Sequence, residues 1–528
     1  MSKKPSESFF DDNSPNYKIW QSPNGIYKLD IKDIVFQGYL LKYCQANKQL
    51  KERYFILTEK YLFYLAAPNT PTFIAIMPTQ WIRVDYLILK LDQTPSYCFK
   101  FIRNKRMTDL FTTEEDVYEE WKVQFSKVFW QCNFQAKYEP LKEIGKGSFA
   151  KVYLVKNINT GKEYAAKAFS KKPSSSLDDR RQSLINEIEA LRQLKHDNII
   201  KLEELHESKN SIYLILELLE GGELLDVLTS SESLNSKSQK EILKSLLDAL
   251  AYMEEKMIMH RDIKPTNIIL KTKDTNDISQ IKLIDFGLAT FRFNPNPIFK
   301  RCGTPGFIAP EVLNCSSTEC FPYSTTCDVF SVGIIFYIML AGKSPFDGSN
   351  IKKILESNQK CNIDMFNPKL HKNKLAYDLL LRLLEKDPDD RITASKALKH
   401  AYFDHMTDNE KTQNENLCDT NKENNNIKIY LENYKNSAYL NTKKNELGSP
   451  DIQQNIILGT TSTYDIESMN IQEAIFSLKT IGPVKNKENK EEKQTILKTA
   501  LMNNSVQFLD EIYQIGFVEE EFNSDSEN

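Results

Sequence analysis

Residues 259–270 read MHRDIKPTNIIL, and residues 283–287, a short distance further along the chain, read LIDFG. Together the two stretches bring two carboxylates, an ammonium group and an amide to one locus: Asp262, Asp285, Lys264 and Asn267. A carboxylate can accept the proton of a hydroxyl, and carboxylate and amide oxygens are ligands that suit Mg²⁺. A cation beside them stabilises the negative charge that develops on a transferred group. The pattern therefore predicts the chemistry of phosphoryl transfer.

A glycine-containing stretch precedes this locus, since residues 144–152 read IGKGSFAKV between two strand-like segments. Glycines allow a tight turn whose backbone N–H groups can approach phosphate oxygens, because no Cβ intervenes. Lys167 ends a strand-like YAAK, and Glu187 follows in a helical pattern. An ion pair between these two residues would aim the lysine at a nucleotide. Taken alone, the first stretch also fits a plain hairpin turn, and the second a pair of solvated charges.

A third stretch, GTPGFIAPE at residues 303–311, follows at the distance of a substrate-positioning loop. In this order and spacing the motifs resemble those of the eukaryotic protein kinase family. The resemblance covers residues 138–404, about half of the chain. It implies a bilobal α+β fold that binds ATP and Mg²⁺ and acts on protein substrates.

The resemblance also implies roles for individual residues. Asp262 resembles the catalytic base, and Lys264 resembles a contact to the γ-phosphate of ATP. Asn267 and Asp285 resemble the Mg²⁺ ligands. The positions that it implies for ATP binding are Ile144, Gly145, Lys146, Gly147, Ser148, Phe149, Ala150, Val152, Ala165, Lys167, Glu187, Glu217, Leu219, Glu223 and Ile269.

Within that set, Val152, Ala165 and Ile269 occupy the positions that sandwich adenine in the family. Leu216 resembles the gatekeeper that precedes a hinge at residues 217–219. Three further residues resemble structural supports rather than chemical groups. They are Glu311 and Arg391, as a buried pair behind the substrate loop, and Asp328, beneath the His260–Arg261 backbone.

Three stretches resemble the calcium/calmodulin-dependent kinase-like group: DFGLA at 285–289, CGTPGF at 302–307 and AGKSPF at 341–346. Lys264 and the Gly303-Thr304 pair imply specificity for Ser/Thr rather than Tyr. A lipid-activated group related to cyclic-nucleotide kinases is the alternative, because it also pairs a pleckstrin-homology domain with a kinase domain. That group usually carries tryptophan directly after the structural aspartate, whereas here Val329 follows Asp328.

Three positions depart from the family pattern. Ala150 replaces the third glycine of the phosphate loop, which predicts a modest effect on nucleotide affinity. Thr266 replaces a glutamate that relatives often use to read a substrate arginine, although Glu223 could still read one basic residue. Lys300 stands where relatives often carry a phosphorylatable threonine, whose phosphate would pair with Arg261. Since Lys300 would repel Arg261, we expect that activity requires no activation-loop phosphate.

Residues 31–132 contain short strand-like runs, such as VFQGYLL at 35–41 and RYFIL at 53–57. They close with apolar residues at helical spacing over residues 114–130. This order resembles a pleckstrin-homology domain, which implies a small β-barrel with a C-terminal helix. The expected architecture is thus multidomain, with this domain in front of a bilobal α+β kinase fold.

Three basic residues of this region, Lys42, Lys51 and Arg53, match the Lys…Lys-x-Arg spacing with which that family often binds phosphoinositides. Clustered cations at a loop are what a polyphosphate headgroup requires. Ordinary solvated strand charges, or a domain that binds protein instead of lipid, are the alternatives.

The remaining segments are polar. Their composition predicts a flexible arm over residues 1–30 and a largely disordered tail over residues 405–528. Within the tail, residues 471–481 have helical spacing and are a candidate autoinhibitory or calmodulin-binding helix, with a transient helix as the alternative. A second helical pattern, over residues 495–517, runs into an acidic end and looks unlike a calmodulin target.

The formal net charge of -3 argues against wholesale binding to nucleic acid. The start of the chain lacks the apolar run of a signal peptide, and its nine scattered cysteines suit reduced thiols in a cytosolic or nuclear compartment. We therefore expect a cytoplasmic location, with recruitment to a membrane through the N-terminal domain. The leading prediction is an ATP-dependent protein serine/threonine kinase that this domain recruits or regulates. The alternative is a lipid-recruited pseudokinase or adaptor scaffold.

Overall fold

The structure is a computed structural model of the chain. All of the residues that it describes belong to one compact unit. The predicted tail helices at 471–481 and 495–517 lie outside the described residues. The described ranges are 8–11, 17–23, 29–44, 49–68, 70, 73–91, 94–147, 150–171, 177–230, 234–272, 280–294, 297, 299–315, 323–346 and 350–404.

In the described part of residues 31–132, which we call the first domain, a series of strands precedes one helix. The elements are β1 (Ile34–Cys44), β2 (Gln49–Thr58), β3 (Tyr61–Leu65), β4 (Ala75–Pro78), β5 (Arg83–Leu91), β6 (Thr94–Arg103), β7 (Arg106–Thr112) and α1 (Glu115–Val128). Trp121 and Phe125 of α1 are buried in one cluster with Phe55 and Leu57 of β2. The helix lies where the apolar spacing predicts it, because its inward face carries large side chains three and four residues apart.

The strands of the first domain pair antiparallel in the order β4-β3-β2-β1-β7-β6-β5. Among the described residues this sheet does not close, so the predicted small barrel is not confirmed. At one edge, Gln21 pairs with Ile76 of β4 through two backbone hydrogen bonds of 2.8 and 3.0 Å. At the other edge, β5 pairs with β8 (Trp130–Gln131) rather than with β4.

The N-terminal segment packs against the folded domains, although its polar composition predicts a flexible arm over residues 1–30. Phe10 and Ile19 are each only 5% exposed. Trp20 Nε1 donates a hydrogen bond to Thr108 Oγ1 at 3.0 Å. This packing corrects the expectation for the described residues 8–11 and 17–23, because short apolar pairs there outweigh their polar surroundings.

Strand β8 joins the first domain to the strands that follow. It runs parallel to β5 on one side and to β12 (Leu202–Glu207) on the other. Beyond β12 the sheet continues through β13 (Ser211–Leu216), β11 (Glu163–Ser170), β10 (Ala150–Asn157) and β9 (Tyr138–Lys146). Within the described residues the result is one 13-stranded sheet. The short helix α2 (Phe134–Lys137) lies between β8 and β9, and α3 (Leu177–Gln193) lies between β11 and β12.

Helices dominate the second half of the described chain. They are α4 (Leu224–Leu228), α5 (Ser236–Glu255), α6 (Pro310–Asn314), α7 (Thr326–Ala341), α8 (Ile351–Lys360), α9 (Lys374–Leu383) and α10 (Ala394–Ala397). Two small ribbons pair β14 (Ile258–Met259) with β17 (Thr290–Phe291) and β15 (Ile268–Leu270) with β16 (Ile281–Leu283). None of the described helices combines the length and apolar character needed to cross a membrane.

Helix α7 forms the centre of this helical lobe because it is apolar on all sides and almost entirely buried. A Cβ at Gly333 would lie 2.8 Å from Leu384 Cδ2 and 3.1 Å from Leu383 Cβ. The glycine therefore lets the end of α9 approach α7 closely.

Candidate active site

The loop between β14 and β15 carries the predicted base and is held by Asp328 at the start of α7. Asp328 Oδ2 accepts the backbone N–H of His260 at 2.7 Å, and Oδ1 accepts that of Arg261 at 2.8 Å. Arg261 has a φ of 67°, a left-handed conformation that costs energy in a residue with a side chain. The two hydrogen bonds hold the backbone in this shape, which is the supporting role that the sequence implies for Asp328.

The Asp262 carboxylate lies at the centre of a hydrogen-bonded group and is almost fully buried. Its Oδ1 accepts a hydrogen bond from Thr304 Oγ1 at 2.7 Å. Its Oδ2 accepts from Asn267 Nδ2 at 3.1 Å and lies 2.9 Å from Lys264 Nζ. Lys264 Nζ also donates to Thr304 Oγ1 at 2.8 Å. A carboxylate fixed in this way is oriented to accept a proton from a hydroxyl group bound beside it.

A second charged group joins β11, α3 and the segment after β16. Lys167 Nζ lies 2.6 Å from Glu187 Oε1 and 2.8 Å from Asp285 Oδ1. Burial opposes the charge of Asp285, but the neighbouring ammonium outweighs it and lowers the pKa of Asp285 to about 2. Burial also opposes the charge of Lys167, yet the two carboxylates raise the pKa of Lys167. Burial dominates at Glu187 and raises its pKa despite the same ammonium.

The residues around Asp285 are tied to both neighbouring parts of the site. Phe286 is fully buried, and its ring centroid lies 4.8 Å from that of His260. On the other side, Ser183 Oγ of α3 donates a hydrogen bond to the Gly287 carbonyl at 2.6 Å. Movement of α3 would therefore disturb the position of Asp285.

The two side chains predicted to hold Mg²⁺ supply suitable ligand atoms. Asn267 Nδ2 donates to the Asp262 carbonyl at 2.8 Å and to its carboxylate, so the amide oxygen is the atom of Asn267 suited to a cation. Asp285 adds a carboxylate that stays ionised because its pKa is low. Carboxylate and amide oxygens form the hard donor set that Mg²⁺ prefers, so these residues fit the ion.

The predicted phosphate-binding residues occupy the turn between β9 and β10. Ile144, Gly145 and Lys146 end β9, and Ala150 begins β10. Gly147 N donates to the Ala150 carbonyl at 2.8 Å, which closes the turn. Ser148 and Phe149 lie outside the described residues.

Cross-strand register places the next group of residues together. Val152 pairs with Gly145 on one side and with Lys167 on the other. The strand that begins at the turn is therefore the one that pairs with the strand bearing the lysine that the resemblance assigns to phosphate. Ala165 pairs with Leu216, the predicted gatekeeper.

The predicted hinge follows β13 and continues to a bridge between Glu223 and Ile269. Gly221 makes this path feasible, since a Cβ there would lie 2.2 Å from the Thr272 carbonyl oxygen. Glu217 directs its carboxylate away from this path, with Oε1 2.6 Å from Lys282 Nζ. Leu219 is half-buried within the segment.

Backbone groups of the activation segment hold the Arg261 guanidinium. Its Nε donates to the Leu288 carbonyl at 2.8 Å, and one terminal nitrogen donates to the Phe299 carbonyl at 2.5 Å. The same nitrogen donates to the Tyr323 hydroxyl at 3.1 Å, and this hydroxyl donates to the Lys300 carbonyl at 2.7 Å. Arg261 is thus bound to the segment in which relatives often carry a phosphorylatable threonine.

A bidentate ion pair supports the far side of the substrate loop, as the resemblance implies. The terminal nitrogens of Arg391 lie 2.6 and 3.0 Å from the two carboxylate oxygens of Glu311. The Arg391 side chain is 0% exposed, and its guanidinium lies 5.0 Å from the centroid of the Phe330 ring. The pair links the start of α6 to the helical lobe.

Ser183, Tyr323 and Thr304 make contacts at the site that the sequence does not predict. The sequence assigns no site role to Ser183 or Tyr323, and it uses Thr304 only as an indicator of Ser/Thr specificity. The site role of Thr304 could be predicted from the sequence, since Thr304 belongs to the recognisable GTPGF stretch at residues 303–307. Ser183 and Tyr323 lie outside every recognised motif, and only the folded chain brings them to the site.

Comparison with known proteins identifies the same region. The family model described as "Protein kinase domain" matches residues 138–403, about half of the chain. "Probable serine/threonine-protein kinase 2" of Plasmodium falciparum is 38% identical over 286 residues, which are 54% of this chain and 53% of that protein. "Calcium-dependent protein kinase 4" of Plasmodium berghei is 38% identical over 275 residues, which are 52% of this chain and 51% of that protein.

A third relative, "Probable myosin light chain kinase" of Dictyostelium discoideum, is 38% identical over 277 residues, which are 52% of this chain and 85% of that protein. The chain spans about half the length of the two Plasmodium relatives. The matched range contains both charged groups of the candidate site, and the match extends over the full catalytic region. The chain belongs to the protein kinase family.

Proposed function

We propose that the chain is an active protein serine/threonine kinase that transfers the γ-phosphate of ATP to protein hydroxyl groups. The observation that carries this proposal is the Asp262 group, in which Lys264 and Thr304 bind the same carboxylate. Its geometry is that of a proton acceptor, with a cation next to the acceptor. Bound Mg²⁺ would neutralise phosphate charge, and Asn267 and Asp285 would hold it.

Different residues of the chain would bind different parts of ATP. Lys167, kept charged by its two carboxylate partners, would orient the α- and β-phosphates, while Glu187 fixes its direction. Val152, Ala165 and Ile269 would enclose adenine. Transfer of radiolabelled phosphate to serine, threonine and tyrosine peptides tests the assignment, with label on serine or threonine as the expected result.

The alternative is a pseudokinase or adaptor scaffold that the first domain recruits to lipid. Such degenerate relatives usually lose the base, the metal-binding aspartate or the strand lysine. This chain retains Asp262, Asp285 and Lys167, and all three make the contacts described above. The geometry therefore favours an active enzyme over a scaffold.

We expect catalytic activity to persist without phosphate on the activation segment. Arg261 already donates hydrogen bonds to the Leu288 and Phe299 carbonyls and to the Tyr323 hydroxyl. These bonds would hold the segment in place, as a phosphate paired with this arginine would. Phosphatase treatment should leave the rate of peptide phosphorylation within about twofold. Tyr323→Phe should lower the rate about tenfold, because the Arg261–Lys300 bridge loses its hydroxyl. Loss of activity on phosphatase treatment that Thr290→Ala reproduces would contradict this prediction.

We also propose that the first domain is pleckstrin-homology-like and binds phosphoinositides through Lys42, Lys51 and Arg53. Lys42 and Lys51 lie opposite each other on β1 and β2, so their charges are close together. Lys42 Nζ lies 5.1 Å from the Trp20 ring centroid and 5.6 Å from that of Tyr64, and these rings hold the ammonium at a defined position.

Vesicle sedimentation tests the lipid proposal. Lys51→Ala/Arg53→Ala should lose most binding to vesicles that contain a phosphatidylinositol bisphosphate, because each cation near an anionic surface adds about 1 kcal/mol. The matched control, Lys60→Ala/Lys127→Ala, removes two exposed cations of the same domain and should bind as the wild type does. Equal sedimentation of the two double variants would count against lipid binding.

Calcium–calmodulin control is a further proposal, and it concerns the tail. It rests on the tail's helical spacing at residues 471–481 and on one relative whose name includes calcium dependence. Such control would change the rate at which the chain phosphorylates peptides.

A further inference from the structure

Helix α3 is held from two opposite directions. On the side of the site, Glu187 pairs with Lys167, and Ser183 donates to the Gly287 carbonyl. On the side of the first domain, a terminal nitrogen of Arg192 donates to the Val128 carbonyl at 3.1 Å. Gln80 Nε2 donates to Glu189 Oε1 at 2.7 Å. The first domain therefore contacts the helix that carries Glu187.

The N-terminal segment adds an aromatic ring to the packing around β8. The Phe10 centroid lies 4.5 Å from that of Trp81 and 4.7 Å from that of Trp130. Phe10 and Trp130 belong to the same hydrophobic cluster as three α3 residues on one helix face: Leu184, Ile188 and Leu191. Ile188 directly follows Glu187, so the packing of this face sets the rotation of the helix.

A buried carboxylate fixes the segment in place. Glu207, at the end of β12, accepts hydrogen bonds from Ser8 Oγ and from Phe9 N, each at 2.7 Å. Lys171 Nζ lies 2.7 Å from Glu207 Oε1, and Arg83 Nε lies 3.6 Å from Oε2. The Glu207 side chain is only 1% exposed, so the paired cations and the two donors compensate for its lost hydration.

Strand β8 adds a backbone connection to these side-chain contacts. Gln131 pairs with Val84 of β5 on one side and with His206 of β12 on the other. The first domain and the sheet that bears Lys167 thus share one hydrogen-bonded framework, and α3 packs against it.

We infer that residues 8–11 and the first domain are positioning elements of the catalytic site, which hold α3 so that Glu187 meets Lys167. This inference rests on the proposed kinase function. It assigns the first domain a role in catalysis that is independent of lipid, and it extends the catalytic unit from residues 138–404 back to Ser8. Phe10 is the positioning residue whose removal tests it with least damage, since it lies in a short segment ahead of the folded domains.

The test is a double-mutant cycle in the full chain. Phe10→Ala should lower kcat/KM for ATP about tenfold or more, a typical size for coupling between separate parts of a protein. Phe10→Leu, which keeps an apolar side chain, should restore most of the rate. Phe366→Ala is the matched control, because Phe366 is 91% exposed, and it should match the wild type. In a Glu187→Gln background, Phe10→Ala should change the rate less than twofold, since the pair through which it acts is already broken.

Hydrogen–deuterium exchange supplies a readout that does not depend on activity. Phe10→Ala should increase exchange of α3 amides and leave those of α7 unchanged. Gln80→Ala, at an exposed position, should also increase the exchange of α3 amides, by about threefold. This variant replaces Phe10→Ala in the test if Phe10→Ala fails to fold.

Wild-type kinetics for Phe10→Ala, or equal losses with and without Glu187→Gln, would overturn the inference. If the wild-type chain transfers no phosphate, the proposed function fails instead. Exchange of α3 then decides the inference alone: lost protection in Phe10→Ala supports it, and unchanged protection overturns it.

Discussion

Asp262→Asn is expected to lower the rate of phosphate transfer to a peptide about 10³-fold, the range that a positioned general base contributes. The amide has almost the same size as the carboxylate, but it cannot accept the proton of a substrate hydroxyl. Because Asp262 touches Lys264, Thr304 and Asn267 rather than the predicted adenine pocket, ATP affinity should change less than about threefold. Single-turnover phosphorylation and nucleotide titration measure the two quantities separately.

Asp197→Asn is the matched control, since Asp197 is exposed on the surface, and it should keep the wild-type rate. An unchanged rate for Asp262→Asn would refute the assigned base. A wild-type chain without transfer activity would instead favour the scaffold alternative, and the Asp262 variant would then behave as the wild type in every assay.

Arg391→Met is expected to lower the free energy of unfolding by about 3–5 kcal/mol, because it leaves Glu311 as a largely buried carboxylate without its bidentate partner. The substitution also removes hydrogen bonds that Arg391 donates to the Thr326, Glu385 and Lys386 carbonyls. Calorimetry is the suitable measurement, since all four tryptophans lie before residue 138 and none lies in the helical lobe that carries Arg391.

Two further variants separate the buried charge from general damage. Glu311→Gln/Arg391→Met removes both charges and should therefore be more stable than Arg391→Met, in which the Glu311 charge is left without a partner. Arg382→Met breaks an exposed pair with Asp378 and should change the stability by less than about 1 kcal/mol. Equal losses for Arg391→Met and the double variant would show that the charge left on Glu311 is not the cause.

The candidate site is largely foreseeable from the sequence, because its residues lie in short motifs. Asp262, Lys264 and Asn267 are separated by few positions, and one loop conformation brings them together. The pairing of Lys167 with Glu187 also follows from a strand and a helix that are adjacent in the chain. Helix α1 is predicted equally well, since its periodicity is a local property.

The contacts around α3 could not be foreseen in the same way. The hydrogen bond from Ser8 to Glu207 joins residues 199 positions apart, and no local pattern encodes such a distance. Polar composition also hides Phe9 and Phe10, because averaging over residues 1–30 dilutes one apolar pair. The two-residue strand β8 is too short to give a periodic signal, so the continuous sheet appears only when the chain is folded.

That short strand bears on recombinant production. A fragment that starts at Tyr138 would lack β8, so β12 would become an edge strand whose backbone groups invite pairing with other chains. It would also lose Trp130 and Phe10, which belong to the same hydrophobic cluster as apolar side chains of α3. Such a fragment is expected to associate and precipitate, whereas a fragment that retains Ser8 and the first domain should stay monodisperse.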